Sequence, residues 1–379
     1  MAAHSTPSRP SVPEPLFSSP PESICLLRLS AIGDCCHMTA AVRALQRAWP
    51  ETQLTWIIGA TEAGLLGDLP GIEFITWRKG GGLSGYRALR HRLRGRRFDA
   101  LLLAQVALRA GGLATAVRTP LRLGFDRARA RDGHGLFINR RIPPHPRGHV
   151  LEGFFDFLRA LGVDDHELRW DIPLPESARE RAAEVIPDGR PTLVISPCSS
   201  QRFNNFRNWS PKSYAEVVRH AHEAHGLATV LTGGPSAEEQ RYGEAIVRLA
   251  GTPVTNFIGA THLKELLAIL ARAEVVLCPD SGPAHMATAA GTPVIGLYAT
   301  SNPDRTGPYL SRHWVINRYP DAVRRAWGVG VDEVAWGRRV RDPRAMELIQ
   351  VADVTGRLDA LMATPMAERL APPRLRTAV

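Results

Sequence analysis

Short apolar runs alternate along this chain with longer stretches in which apolar residues return every three or four positions. Residues 24–29, 54–58, 74–77 and 100–104 are predominantly apolar and read as buried strands. Stretches 38–49, 86–97 and 108–117 show helical periodicity, and a helix bearing Phe154, Phe155, Phe157 and Leu158 ends near Gly162. Residues 163–190 are polar, with prolines at 173, 175 and 187, and read as a linker or an exposed edge. A second series follows, with strands at 193–196, 228–232, 254–258, 275–278 and 294–298. Helices starting at 210 and 238, and helices over 263–273 and 284–290, fall between these strands. A last helical pattern at 345–363 closes it. Alternation on this scale predicts parallel sheets covered by helices on both faces. Two such series predict two facing, doubly wound α/β domains with a cleft between them. The expected divisions are a disordered, Ser/Pro-rich leader at 1–22, an N-terminal domain at 23–170, a C-terminal domain at 171–363 and a loose tail at 364–379.

The same pattern locates candidate chemistry, because open parallel sheets bind ligands outside the carboxyl ends of their strands. Residues 278–298 read as strand, tight turn, small-residue helix, glycine and strand. Asp280, Ser281 and Gly282 make the turn, Pro283 suits a first helical position, and Gly291 suits the left-handed residue after a helix. A helix that opens this way turns backbone N–H groups and a positive dipole end toward the crevice, where a phosphate can bind. An ordinary strand–helix connection with a capping serine accounts for the same residues. Gly233 and Gly234 repeat the logic, with Glu238 or Glu239 placed for ribose hydroxyls or simply for the helix dipole. Arg207, just ahead of Ser210 and Pro211, is placed to clamp a phosphate or to lie on the surface. The first strand ends in a loop carrying Gly33 and Asp34, and Asp34 is either a helix N-cap or a residue at the crevice edge.

Composition narrows the partners. A chain of 379 residues exceeds one typical core. Its net charge of +10 favours an anionic partner: nucleic acid, an acidic membrane surface or a phosphorylated substrate. Five cysteines in no paired framework suggest a reduced, intracellular protein, and no apolar run approaches the roughly 20 residues of a membrane span. The loop after the first strand is not a GxGxxG fingerprint, and no Walker motif occurs. Arg87, Arg90, Arg92, Arg94, Arg96 and Arg97 make a dense basic run. No aromatics interleave it, which sets nucleic acid aside. His220, His222 and His225 share one helix without an acidic helper in a ligating frame, so they read as a solvated face and not as a metal site.

The loop 29–34, the block Arg207-Asn208-Trp209, the Gly233-Gly234 turn, Asp280 to His285 and the stretch 300–309 stand in a telling order. Together they resemble the ADP-heptose:lipopolysaccharide heptosyltransferases, glycosyltransferase family 9, over residues 23–363. The resemblance implies two Rossmann-like domains of the GT-B type, an acceptor bound by the N-terminal half and an ADP-sugar bound by the C-terminal half. It implies an inverting transfer with no metal and no cofactor. By position, Asp34 becomes the general base, and Arg207 a catalytic cation where better-known members carry Lys. Gly33, Gly233, Gly234, Ser281, Gly282 and His285 fall at the donor, with Asp280 near its sugar or phosphate and Glu238 or Glu239 at the ribose. Lipid A and core oligosaccharide become the acceptor, in the cytoplasm at the inner membrane. Arg92, Arg94, Arg96 and Arg97, with Arg109, Arg118 and Arg122, would then meet that acceptor or the anionic leaflet. Single displacement needs one base and a good leaving group, without the second acid of a glycosidase. A GT-B enzyme using another nucleotide sugar, and a catalytically silent nucleotide- or glycan-binding module, remain alternatives.

Overall fold

A computed structural model of the chain describes residues 14–199 and 204–375. In the N-terminal half the elements run β1 (Ser23–Leu27), α1 (Ile32–Ala48), β2 (Gln53–Gly59), α2 (Ala60–Leu66), β3 (Ile72–Trp77) and α3 (Gly82–Arg92). They continue through β4 (Ala100–Leu103), α4 (Leu108–Ala114), β5 (Leu121–Gly124), β6 (Arg140–Arg141) and α5 (Val150–Leu161). The C-terminal half runs α6 (Glu176–Val185), β7 (Thr192–Ile195), α7 (Pro211–His225), β8 (Ala228–Gly233), α8 (Ala237–Ala250), β9 (Val254–Ile258) and α9 (Leu263–Arg272). It ends with β10 (Val275–Pro279), α10 (Gly282–Ala290), β11 (Val294–Tyr298), α11 (Pro303–Thr306), β12 (Ile316–Asn317), α12 (Tyr319–Trp327) and α13 (Val351–Ala363).

Each half builds one parallel sheet. The orders are β3-β2-β1-β4-β5-β6 and β12-β11-β10-β7-β8-β9, the same doubly wound order written from opposite edges. The chain reverses direction across the sheet between β1 and β4, and again between β7 and β10. Successive residues of a central strand feed different cores, as period-two geometry requires. Ile24 and Leu26 of β1 join one apolar cluster, and Cys25 and Leu27 join another. The first of these clusters is shared by both halves: it runs through α1 and α5 to Val276, Cys278 and the helices α9 and α10.

Several sequence expectations need correction. The polar stretch 163–190 contains α6, whose Ala178, Ala182 and Val185 are buried; an alanine face hardly registers as an apolar stripe. β5, β6 and β12 span two to four residues and two of them are arginine-bearing, too short for a period to show. α12 was also unforeseen. Within the expected leader, Leu16 donates its N–H to the Ala160 carbonyl (2.9 Å), and Thr52 Oγ1 donates to the Pro21 carbonyl (2.7 Å). The expected loose tail crosses back to the N-terminal half. The N–H of Leu168 bonds the Pro373 carbonyl (2.7 Å), and that of Leu375 the His166 carbonyl (2.8 Å), with Leu375 buried. The rest of leader and tail, residues 1–13 and 376–379, lies outside the described residues.

Candidate active site

The loop after β1 is stitched to the loop after β4 at the point where the strand order reverses. Arg28 Nη1 donates to the Ala104 carbonyl (2.5 Å), the guanidinium lies 5.3 Å from the Phe154 ring centroid, and the Leu29 N–H donates to Gln105 Oε1 (2.7 Å). Arg28 also forms an ion pair with Asp34 Oδ2. Asp34 is not the N-cap: α1 begins at Ile32, so Asp34 stands in its first turn, with Oδ2 also at 3.5 Å from the Ala31 N–H. Both contacts engage one oxygen of a side chain that stays 34% exposed. Oδ1 is left to accept a proton. Glu62 at the start of α2 is buried close by; burial pushes its carboxyl up, against the pull of Arg28 and Arg109.

Across the cleft, α10 opens without the serine cap of the alternative reading. Ser281 has an extended backbone (φ −152°), and its hydroxyl donates to the Pro279 carbonyl (3.1 Å) instead of taking a helix N–H. No side-chain cap occupies this helix start among the described residues, which keeps its amides available for an anion. Arg207 behaves differently from its expected part as a phosphate clamp. Its Nη1 donates to the Asp280 carbonyl (2.8 Å) and to Asp280 Oδ2 (3.2 Å), while Nε donates to Asn205 Oδ1 (2.7 Å). Both charged side chains are buried, so this pair braces the turn ahead of Ser281. The Gly233-Gly234 turn is held by Glu239, whose Oε2 accepts the Gly234 N–H (2.6 Å) and whose Oε1 accepts the Ser236 hydroxyl (3.2 Å). Glu239 is thereby committed to its own backbone, and Glu238 stands beside it at the helix start.

The helix starts of α1 and α10 pack against each other. A Cβ on Gly33 would lie 2.3 Å from His285 Cδ2, so the close approach that glycine permits is to an imidazole ring. His285 stacks edge-on with His37 (centroids 4.4 Å apart), His37 with His149 (5.3 Å), and His149 with Tyr309 (5.0 Å). His149 Nε2 meets the Gly307 carbonyl at 2.9 Å, and Tyr309 donates to Glu152 Oε1 at 2.9 Å, tying α5 to the C-terminal half. Burial holds all three imidazoles below their ordinary pKa, His37 and His149 well below. His285 therefore sits at the interface between halves, although residues close to it line the helix start.

Sequence reasoning missed Arg28, Glu62 and, most of all, Arg305. Arg305 follows β11 and lies within electrostatic reach of Asp34 and Asp280 and of Arg131 and Arg339; burial lowers its pKa. The basic run divides. Arg96 is bound to Glu73 (2.9 and 2.6 Å), Arg92 to the Phe74 carbonyl (3.2 Å), and Arg122 to the carbonyls of Ala114 and Val117 (2.6 and 2.8 Å). Arg94 and Arg97 remain exposed. The histidines on α7 do acquire an acid: His220 and His225 Nε2 each lie 2.6 Å from Asp359 Oδ1 on α13, while His222 is exposed. Sequence spacing had no means to supply a partner 134 residues away.

Two parallel, doubly wound sheets, one presenting a carboxylate at its strand ends and the other an open helix start, make a GT-B architecture. The model of glycosyltransferase family 9 (heptosyltransferase) matches residues 86–324. Over 347 residues, 92% of this chain and 99% of the relative, the chain is 40% identical to the lipopolysaccharide core heptosyltransferase OpsX of Haemophilus influenzae. It therefore belongs to glycosyltransferase family 9. Among solved structures, E. coli heptosyltransferase WaaC with ADP matches with a TM-score of 0.69 at 18% identity, over 89% of this chain and 99% of that one. The dodecameric iron-containing glycosyltransferase TibC from enterotoxigenic E. coli matches with a TM-score of 0.54 at 17% identity, over 90% and 76%. These two share the fold.

Proposed function

We propose that the chain moves heptose from ADP-heptose to a lipopolysaccharide inner-core acceptor, with inversion and with Asp34 as general base. The relative named above acts in the lipopolysaccharide core, and the WaaC structure contains ADP, which supports this donor and acceptor. One observation carries the mechanism: among the described residues Oδ1 of Asp34 is unengaged, in the first turn of a helix whose start packs against the open start of α10. Asp34 Oδ1 takes the proton of the acceptor hydroxyl while that oxygen attacks the anomeric carbon. The bond from that carbon to the phosphate oxygen breaks, and ADP leaves with its electron pair. Helix amides and nearby arginines meet the charge that builds on the diphosphate, a task a metal performs elsewhere. Glu238 or Glu239 holds the ribose on this reading, and Glu239 also serves the Gly234 turn.

The enzyme works at the cytoplasmic face of the inner membrane on this reading. No helix among the described residues is long and apolar enough to cross a membrane. Leu83, Leu108 and Leu136, 63%, 62% and 85% exposed, are large apolar side chains left in solvent on the N-terminal half and fit a peripheral contact.

Asp34→Asn is the test. Turnover should fall by roughly 10²–10⁴-fold while calorimetric ADP binding persists. Retained turnover would overturn the base assignment, and tighter binding of UDP or GDP than of ADP would overturn the donor. Activity surviving a chelator supports the metal-free reading; loss restored by iron, given the iron-containing neighbour, would end it.

A further inference from the structure

Among the described residues, Arg305 is an arginine whose side chain has no hydrogen-bond or ion-pair partner. Its backbone is firmly held: Asn302 Oδ1 caps α11 by accepting the Asp304 N–H (2.9 Å), and Tyr298 donates to the Thr306 carbonyl (3.1 Å). Its side chain forms no hydrogen bond or ion pair with any described residue, unlike Arg28, Arg207 and Arg312. Asp34 and Asp280 are the carboxylates in reach, and each is already engaged by another arginine. Further positive charge is close. A Cβ on Gly337 would lie 3.3 Å from Arg305 Nε and 3.6 Å from Arg131 Nη2, so two guanidiniums flank one backbone point, and Arg339 is also in electrostatic range. Arg131 comes from the N-terminal half and Arg305 from the C-terminal half, so the group bridges the cleft. Like charges gathered in a partly desolvated place repel, and the arrangement is stabilised when an anion completes it.

We propose that Arg305, flanked by Arg131 and Arg339, is a binding subsite for a phosphate-type oxyanion of the reacting substrates. Resting on the function proposed above, the oxyanion is the donor's diphosphate, and Arg305 takes the leaving-group charge while Arg207 acts as the buried brace of the Asp280 turn. A guanidinium offers paired N–H donors to two phosphate oxygens, a geometry an ammonium does not reproduce.

Full-length wild type, Arg305→Gln, Arg305→Lys and Arg207→Gln are compared by calorimetry with ADP and with adenosine, by steady-state kinetics, and by thermal melting. Arg305→Gln should weaken ADP binding about tenfold or more and leave adenosine binding unchanged, with partial recovery in Arg305→Lys. Its ligand-free melting temperature should hold or rise, because repulsion is relieved, while that of Arg207→Gln should fall. An unchanged ADP affinity with acceptor KM raised about tenfold or more supports the subsite and assigns the oxyanion to the acceptor. Unchanged ADP affinity and unchanged acceptor KM together overturn the proposal. So does a ligand-free melting loss in Arg305→Gln matching that of Arg207→Gln, which would make Arg305 structural. Failure of Asp34→Asn to stop turnover would remove the base assignment and leave this result standing, because ADP binding needs no base.

Discussion

Each half of the molecule places an arginine–aspartate pair where its strand order reverses, and the two pairs differ in one respect. Arg28–Asp34 leaves its carboxylate side chain 34% exposed, whereas Arg207–Asp280 leaves its own 8% exposed. The first arginine is anchored by a backbone carbonyl and a phenylalanine ring, so it can hold Asp34 by one oxygen and spare the other. The second spends its donors on both the carbonyl and the carboxylate of Asp280. Identical side-chain chemistry thus yields a base candidate in one half and a brace in the other. Solvent access decides which, because a charge buried with its partner is costly to separate and a half-open one is not.

The largest expected effect on stability follows from that contrast. Asp280→Ala leaves the buried Arg207 guanidinium without this counter-charge and should cost about 3–5 kcal/mol. Asp34→Ala opens a partly solvated pair and should cost about 1 kcal/mol or less. Denaturant titration of both variants measures the difference. Equal losses would show that Asp34, too, is a brace.

The packing between the two helix starts gives the next effect. Gly33→Ala drives a methyl group into the His285 ring, with 2.3 Å between the atoms before relaxation, and should cost about 1–3 kcal/mol as an overpacked contact. A Cβ on Gly282 meets Ile32 at 3.7 Å, ordinary contact, so Gly282→Ala should be close to neutral for stability. A neutral Gly33→Ala would mean that the halves move apart easily at this point.

The histidine chain between the halves predicts a pH dependence. His37 faces Arg28 and Arg312, His149 faces Arg305 and Arg312, and His285 faces Asp34 and Asp280; burial depresses all three. The folded state therefore keeps them neutral where an unfolded chain takes up protons. Their stabilisation is complete above about pH 6.5 and declines as pH falls below it, by at most about 1.4 kcal/mol per unit for each imidazole. His134, pushed down to about 4 by burial, acts in the same sense. His145, raised by its bond to Asp156, acts in the other, its contribution fading as pH rises through its folded value. Urea midpoints at pH 7.5, 6.5 and 5.5 should fall in that order. A flat series would show that the buried cluster takes protons without unfolding.

Much of this architecture was legible because the central strands are continuous apolar runs and their turns carry Gly, Pro and Ser at fixed offsets. Asp34, the open start of α10 and the Gly233-Gly234 turn could be placed at strand ends on that basis alone. Partnership was not legible. Arg207 is joined to Asp280 across 73 residues, and His220 and His225 to Asp359 from another helix. Nothing periodic encodes such meetings. Arg305 escaped notice for the converse reason: its lack of a partner is visible only once every neighbour is in place. α6 was missed because its buried face is mostly alanine, which carries little hydropathy signal.

The basic run on the N-terminal half repeats the contrast between paired and available charge on a smaller scale. Arg96 is locked to Glu73 on the edge strand β3 and lies over Phe98, so its substitution disturbs the sheet edge before it disturbs any partner. Arg94 and Arg97 are the exposed members. Arg94→Glu with Arg97→Glu should weaken binding to anionic phospholipid vesicles by about 1 kcal/mol for each positive charge removed, or somewhat more with the sign reversed. Melting temperature should be unchanged in that double variant, while Arg96→Glu should lower it through a like-charge contact with Glu73. Co-sedimentation with anionic and with neutral vesicles separates the two outcomes. If the double variant sediments like wild type, the membrane face lies elsewhere, and the exposed arginines that follow α3 serve only solubility.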